Sequence, residues 1–286
     1  MAPTSPPTFR RRRLGNALRR LREGRKLTQQ QVADELGYSI DRISRAEMGR
    51  TKIEVPLVRA LLDVYQVADA ELRTALEDMA RNVSQRGWWH SYTSALHLAF
   101  QDYLGLEQDA ASVRTFQTML IPGLLQTEEY SRKLLEAGSG IVHSSPERIA
   151  QLVSVRMERK KTLSKDSPLH LSAIISEAAL HDTIGDAPAM RTQLRYLAET
   201  ASEPNIDLRI LPLSSGAPHV GLDGPFTLFT FADGAELASL ETLVNSFYLE
   251  DAESVGTYSR AFEQLTTRAL DHDTTRAHLE QMARAL

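Results

Sequence analysis

Ile40, Asp41, Ser44 and Arg45 are the residues whose types and spacing point most directly to chemistry with an outside partner. Offsets of one, four and five residues fall within a narrow arc of an α-helix, so a helix begun at Ser39 presents all four together. Their groups match the edges of base pairs in a major groove. Arg45 has the paired N–H groups that bond a guanine, Asp41 accepts from a cytosine amine, and Ile40 meets a thymine methyl. Arg42 lies to one side, toward a phosphate, and Ser39 stands at the leading end. Gln29, Arg50 and Lys52 are spaced to hold the flanking nucleic-acid backbone. The plain alternative is a helical hairpin with a solvated polar face; the basic residues around it weigh against that.

No second constellation of comparable quality occurs. The 8 histidines are scattered without metal-ligand spacing, and the absence of cysteine removes thiolate metal sites and thiol nucleophiles. Asp271-His272-Asp273 reads as a helix boundary. Ser176-Glu177 and His181-Asp182 are close in sequence, but no Gly-x-Ser-x-Gly elbow, phosphate loop or dinucleotide fingerprint accompanies them. The aromatic stretch GWWHSY (87–92) suits either the wall of a flat pocket or, by preference, a pin between a linker helix and a core. No enzymatic activity, cofactor or metal is expected.

The elements that must position the arc are legible around it. Residues 1–9 form a Pro/Ser/Thr-rich arm expected to be disordered. Four arginines (Arg10 to Arg13) lead into a helix with Leu14, Ala17, Leu18 and Leu21 on one face. Thr28 with Gln31 three residues on is a capping box, and Gly37 ends the helix that carries Val32, Ala33 and Leu36 inward. Ser39 caps the next, in which Ile43 packs inward and which ends at Gly49. Pro56 opens a fourth helix with Leu57, Val58, Leu61, Leu62 and Tyr65. The helix-turn-helix unit is placed at 10–67 and a connecting helix at 68–87. Residues 88–286 mix periods: ASVRTFQTML, PLHLSAIIS, NIDLRILPL, PFTLFTF and ELASLETL are strand-like. TEEYSRKLLEAG, SPERIAQLVSVRMERKKTL, APAMRTQLRYLAETA and everything from Asp251 on are helical. In IPGLLQTEEY a strand turns into a helix capped by Thr127, with two glutamates at the helix N-terminus. The fold class expected is a mainly α head of five helices followed by an α+β body.

Charge separates the two parts. Residues 1–60 hold 14 Lys/Arg and 6 Asp/Glu, giving +8, whereas the rest holds 19 and 31, giving −12. A basic head suits a polyanion and an acidic body is repelled by it, so one part reads nucleic acid and the other does something else. At 286 residues and 42% hydrophobic composition both parts have material for a core. No apolar run approaches the ~20 residues needed to cross a bilayer, and the N-terminus lacks a signal-peptide core, so a cytoplasmic, nucleoid-associated protein is expected.

The segment LRRLREGRKLTQQQVADELGYSIDRISRAEMGRTKI resembles the helix-turn-helix of the Xre family, related to lambda-type repressors. The marks are Leu27-Thr28-Gln29, Ala33, Leu36-Gly37, Ile43-Ser44-Arg45 and Glu47-x-Gly49. The resemblance implies an ion pair between Arg22 of the first helix and Glu47 after the recognition helix. Ala46 replaces the larger apolar residue usual before that glutamate, which predicts looser packing. The body, through IPGLLQTEEY, ISEAAL, MRTQLRYL, DLRILPL and GPFTLFTF in that order, resembles a domain of unknown function that follows the helix-turn-helix in many bacterial Xre-type regulators. Such regulators are often encoded beside very small partner proteins.

The expected function is therefore a sequence-specific transcriptional regulator that binds a palindromic operator in double-stranded DNA as a homodimer. Its body would dimerise and sense a small molecule or a small partner protein. An antitoxin-like protein, neutralising a small partner and autoregulating through DNA, is the alternative. Toxicity of a neighbouring short reading frame separates the two.

Overall fold

A computed structural model describes residues 9–82, 87–142, 145–216, 220–242 and 246–286. Contacts divide the chain into two compact units: the residues through His90 with 101–106, and 91–100 with 107–286. The N-terminal arm, apart from Phe9, lies outside the described residues, as do 83–86 of the connecting segment.

The head consists of α1 (Phe9–Gly24), α2 (Gln29–Leu36), α3 (Ile40–Glu47), α4 (Val55–Val64) and α5 (Ala70–Asn82). Local chemistry sets the boundaries. Thr28 Oγ1 accepts from Gln31 N while the Gln31 side chain accepts from Thr28 N, a reciprocal capping box. Gly37, at φ 68°, closes α2 in the left-handed conformation that a side chain resists. Ser39 caps α3 through Arg42 N, and Pro56 sits in the first turn of α4, where its missing N–H costs nothing. One face of every helix then enters a single core: Leu14 and Leu18, Val32 and Ala33, Ile43, Val58, Leu61 and Leu62, Leu76 and Ala80. Each large apolar side chain so buried contributes about 1.5–3 kcal/mol.

Two features of the head depart from simple expectation. The arginine run is already helical, with Arg13 buried and Arg10, Arg11 and Arg12 part-buried, so it is not a solvated tail. The helix read as a connector also seals the head, because Leu76 and Ala80 of α5 belong to its core.

The body is built on a six-stranded mixed sheet, ordered β3-β2-β1-β4-β5-β6. The strands are β1 (Ala110–Gln117), β2 (His170–Ser176), β3 (Ile206–Leu211), β4 (Phe226–Phe231), β5 (Glu236–Glu241) and β6 (Ser246–Leu249). β1, β2 and β3 are parallel; β4, β5 and β6 add by antiparallel steps. Parallel pairing demands long crossovers. They are supplied by α7 (Glu128–Val142) with α8 (Pro146–Lys160), then by α9 (Ala178–His181) with α10 (Ala187–Thr200). β2, with a strand on each side, reads as a nearly continuous apolar run because both its faces are covered.

α11 (Ala252–Arg268) lays Val255, Phe262 and Leu265 against the sheet face formed by Phe116, Ile174, Phe226 and Leu228. α12 (His272–Ala285) packs on α10 and β3. At the β3 edge, Leu270 N donates to Ile210 O at 2.8 Å and Ile210 N donates to the Thr275 hydroxyl at 3.3 Å. The edge strand is thereby closed by chain of its own. The α+β expectation holds. α6 (Leu98–Asp109) and β6 lie where the sequence raised no expectation; α6 is weakly amphipathic and β6 only four residues long.

Candidate nucleic-acid interface

The head holds α3 from behind and leaves its front open. Behind, Ile43 is fully buried and Ala46 nearly so. A Cβ on Gly15 would lie 2.4 Å from the Glu47 carbonyl oxygen and 2.7 Å from that of Ala46, so α1 touches the end of α3 backbone to backbone. The looser packing expected at Ala46 is thus not found: Gly15 lets α1 close on the small residue. A Cβ on Gly49, itself at φ 67°, would lie 2.7 Å from Arg12 N.

An ion pair fixes the same end. Arg22 Nε donates to Glu47 Oε1 at 2.6 Å and Nη2 donates to Oε2 at 2.9 Å; the side chains are 8% and 3% exposed. Arg22 Nη1 also donates to Leu27 O at 2.7 Å, tying α1, the α1–α2 turn and α3 together. Hydrogen bonding to Glu47 holds the guanidinium above its ordinary pKa, against the opposing effect of burial. The Tyr65 hydroxyl is buried near this pair without a hydrogen-bond partner among the described residues, and burial, then the Glu47 charge, push its pKa up.

In front, Ile40 is 46% exposed, Asp41 and Arg45 are exposed, and Ser44 is part-exposed. Arg45 Nη2 and Asp41 Oδ2 are 2.5 Å apart, an i,i+4 pair open to water. Such a pair contributes ~0.3–0.5 kcal/mol, less than the ~1–3 kcal/mol of a bidentate contact to a base, so it orients Arg45 without locking it. The Arg42 guanidinium stacks 3.9 Å from the Tyr38 ring centre. Ser39 Oγ accepts from Arg42 N at 3.3 Å, and Lys52 Nζ lies 3.5 Å from a Glu54 oxygen. Arg50 is exposed. Gln29 gives one amide N–H to Glu47 Oε2 at 2.7 Å, leaving the other for an outside acceptor.

Beside α3, a cleft of about 270 Å³ gathers Tyr38, Arg42, Arg45, Thr51, Lys52 and Glu54. Tyr38 and Thr51 were not among the expected contacts. The four-residue spacing of Tyr38 and Arg42 is the signal that points to their stacking. Of the other sequence signals, Asp271 is the N-cap of α12, accepting from Thr274 N, and Glu177 pairs with His278 at 3.0 Å and accepts from Leu213 N. Trp88 and Trp89 meet edge to face, 5.7 Å apart, and Arg10 lies 5.7 Å from the Trp89 ring. Among the described residues no acidic or histidine cluster could hold a metal, and no helix is long and apolar enough to cross a membrane.

Residues 13–76 match a family described as a helix-turn-helix domain, and residues 100–281 match one described as a domain of unknown function (DUF5753). No curated protein and no solved structure matches the chain. The second match spans well over half the chain and takes in almost the whole α+β body, while the first runs from within α1 to the middle of α5 and so takes in α3. By these matches, the protein belongs to the DUF5753 family and carries a helix-turn-helix domain ahead of that domain.

Proposed function

We propose that the protein is a sequence-specific transcriptional regulator of the Xre type, with α3 lying in the major groove. The observation that carries this is the contrast between the two sides of α3. Ile40, Asp41 and Arg45 stand in water, while Glu47, at the end of the same helix, is locked to Arg22 in the core. A helix clamped so firmly behind, with a short guanine-compatible side chain array in front, is preorganised for base contact. Arg42, Arg50, Lys52, Ser39 and Gln29 hold phosphates on either side, and the cleft beside α3 receives the sugar–phosphate backbone.

One head reads only a few base pairs, too few to pick a site from ~10⁶ or more competitors. The body supplies the second head by pairing two chains on a palindromic operator. Its acidity keeps it off the phosphates and free to receive a small molecule or a small partner protein.

Sedimentation and operator titration test this. The full chain is expected to be a dimer, and a fragment ending at Asn82, which retains the whole head core, a monomer. The fragment binds a palindromic operator far more weakly, with a shallower dependence on salt. Equal affinity and equal salt slope for the two would dispose of the dimer.

A further inference from the structure

The IPGLLQTEEY turn lies outside the helix-turn-helix match and is held by buried side-chain amides. Gly123–Leu125 make one tight turn after Pro122, with Ile121, Leu124, Leu125 and Gln126 buried. Two buried amides clamp it. Gln193 Nε2 donates to Leu125 O at 2.7 Å while its Oε1 accepts from Thr127 N at 2.6 Å. Gln126 Nε2 donates to Ile121 O at 2.8 Å. The side-chain oxygen of Gln126, which also accepts from Ser131 Oγ at 3.0 Å, and its main-chain oxygen are therefore held at fixed points.

Helix α8 brings cations to both. Arg156 Nη1 donates to Gln126 Oε1. Lys160 Nζ donates to Gln126 O at 3.0 Å and sits 3.9 Å from the Tyr196 ring centre. Residues 156 and 160 share one helix face. Arg159, between them, is the contrast: Glu107 takes its Nε and Nη2 at 2.9 and 2.6 Å. Gly123 leaves it room, since a Cβ there would come within 3.0 Å of Nη1. Among the described residues neither Arg156 nor Lys160 has a carboxylate at ion-pair distance. Two part-buried cations are thus left with neutral acceptors, in a part of the chain that is acidic as a whole.

Glu241 is exposed, yet burial raises its pKa, opposed by Arg159. Arg156 is part-exposed, yet desolvation, then the Arg159 charge, hold its pKa down to about 10. The charges that bear on Arg156 are those of Arg159, Tyr130 and Glu241.

From this geometry we infer that the Arg156–Lys160 pair binds the oxyanion group, carboxylate or phosphate, of a small-molecule effector. The planar guanidinium receives two oxygens side by side, and the ammonium adds a point charge one turn away. Gln126 sets the distance between them. The inference deepens the effector-sensing part of the function proposed above and rests on it.

The test is thermal unfolding of the full chain, without DNA, in series of succinate and of inorganic phosphate at constant ionic strength. The expected result is a saturable rise in Tm with at least one of them; which one responds identifies the oxyanion. The rise disappears in Arg156→Met and in Lys160→Met and persists in Lys161→Gln, whose side chain is exposed and pairs with Glu158. If Arg156→Met melts low because the Gln126 contact is lost, Lys160→Met decides, since Lys160 touches a carbonyl and a ring rather than the Gln126 side chain. No saturable rise with either anion, or a rise that survives in Lys160→Met, overturns the inference. Because DNA is absent, that failure leaves the reading of α3 standing.

Discussion

Replacing Glu47 by Ala is the sharpest perturbation of the head. The carboxylate takes two hydrogen bonds from Arg22, at 2.6 and 2.9 Å, and a third from Gln29 at 2.7 Å, with its side chain only 3% exposed. Glu47→Ala leaves the Arg22 charge buried with Leu27 O as its remaining hydrogen-bond acceptor and, as counter-charge, only the exposed Glu23 carboxylate at 3.6 Å. Stranding a buried charge costs ~3–5 kcal/mol. For a domain of this size each kcal/mol moves the midpoint by roughly 4–8 °C, so the head transition should fall by roughly 20 °C. Calorimetry of the full chain reads the fall, and hydrogen exchange of the α2 and α3 amides assigns it to the head. A double variant, Arg22→Met with Glu47→Leu, removes both charges and should recover most of the loss, because the pair stabilises little beyond apolar packing. The reasoning fails if Glu47→Ala leaves the head transition in place, or if the double variant melts no higher than the single.

Three further outcomes follow from named contacts. Arg45→Ala should weaken binding to the preferred operator by ~1–3 kcal/mol and relax selection at one base pair, whereas Lys52→Ala weakens all sequences alike; competition binding against single-base operator variants separates them. Gly15→Ala forces a Cβ to 2.4 Å from the Glu47 carbonyl and should cost ~1–3 kcal/mol, more than Gly37→Ala, where the surroundings are open and only the left-handed φ of 68° opposes it at ~1–2 kcal/mol. Urea unfolding of both variants ranks them, and the reverse order would refute the close approach. The N-caps Asp251 and Asp271 accept from Ser254 N and Thr274 N, which lowers their pKa. The stability they contribute is complete above the ordinary aspartate range and is lost as pH falls through the lower folded values. Asp251→Asn with Asp271→Asn keeps the caps but should flatten the acid limb of Tm against pH; an unchanged limb would show the carboxylates are not involved.

The local signals were legible because their physics acts over a few residues. Thr28 with Gln31, Gly37, Ser39 and Pro56 each satisfy or omit a backbone group within one turn, so residue type and spacing suffice to mark the helices of the head. The same holds for strands β1 to β5, whose apolar runs lie between Pro, Gly and Asp. The sequence by itself also determined the charge contrast between head and body, and the exposed face of α3, since both follow from composition and helical period.

Long-range closeness was decided by the tertiary structure. Gly15 has nothing in its neighbourhood to say that Glu47 will press on it, and Arg13 stands in a charge run that reads as solvated but is buried. β4 follows β3 in the chain but pairs with β1, because the pairing energy comes from partners more than a hundred residues apart. The convergence of Arg156 and Lys160 on Gln126 arises only when α8 meets that turn, thirty or more positions away. A side chain's charge is written in its type, but whether that charge finds a partner depends on which distant segment folds against it.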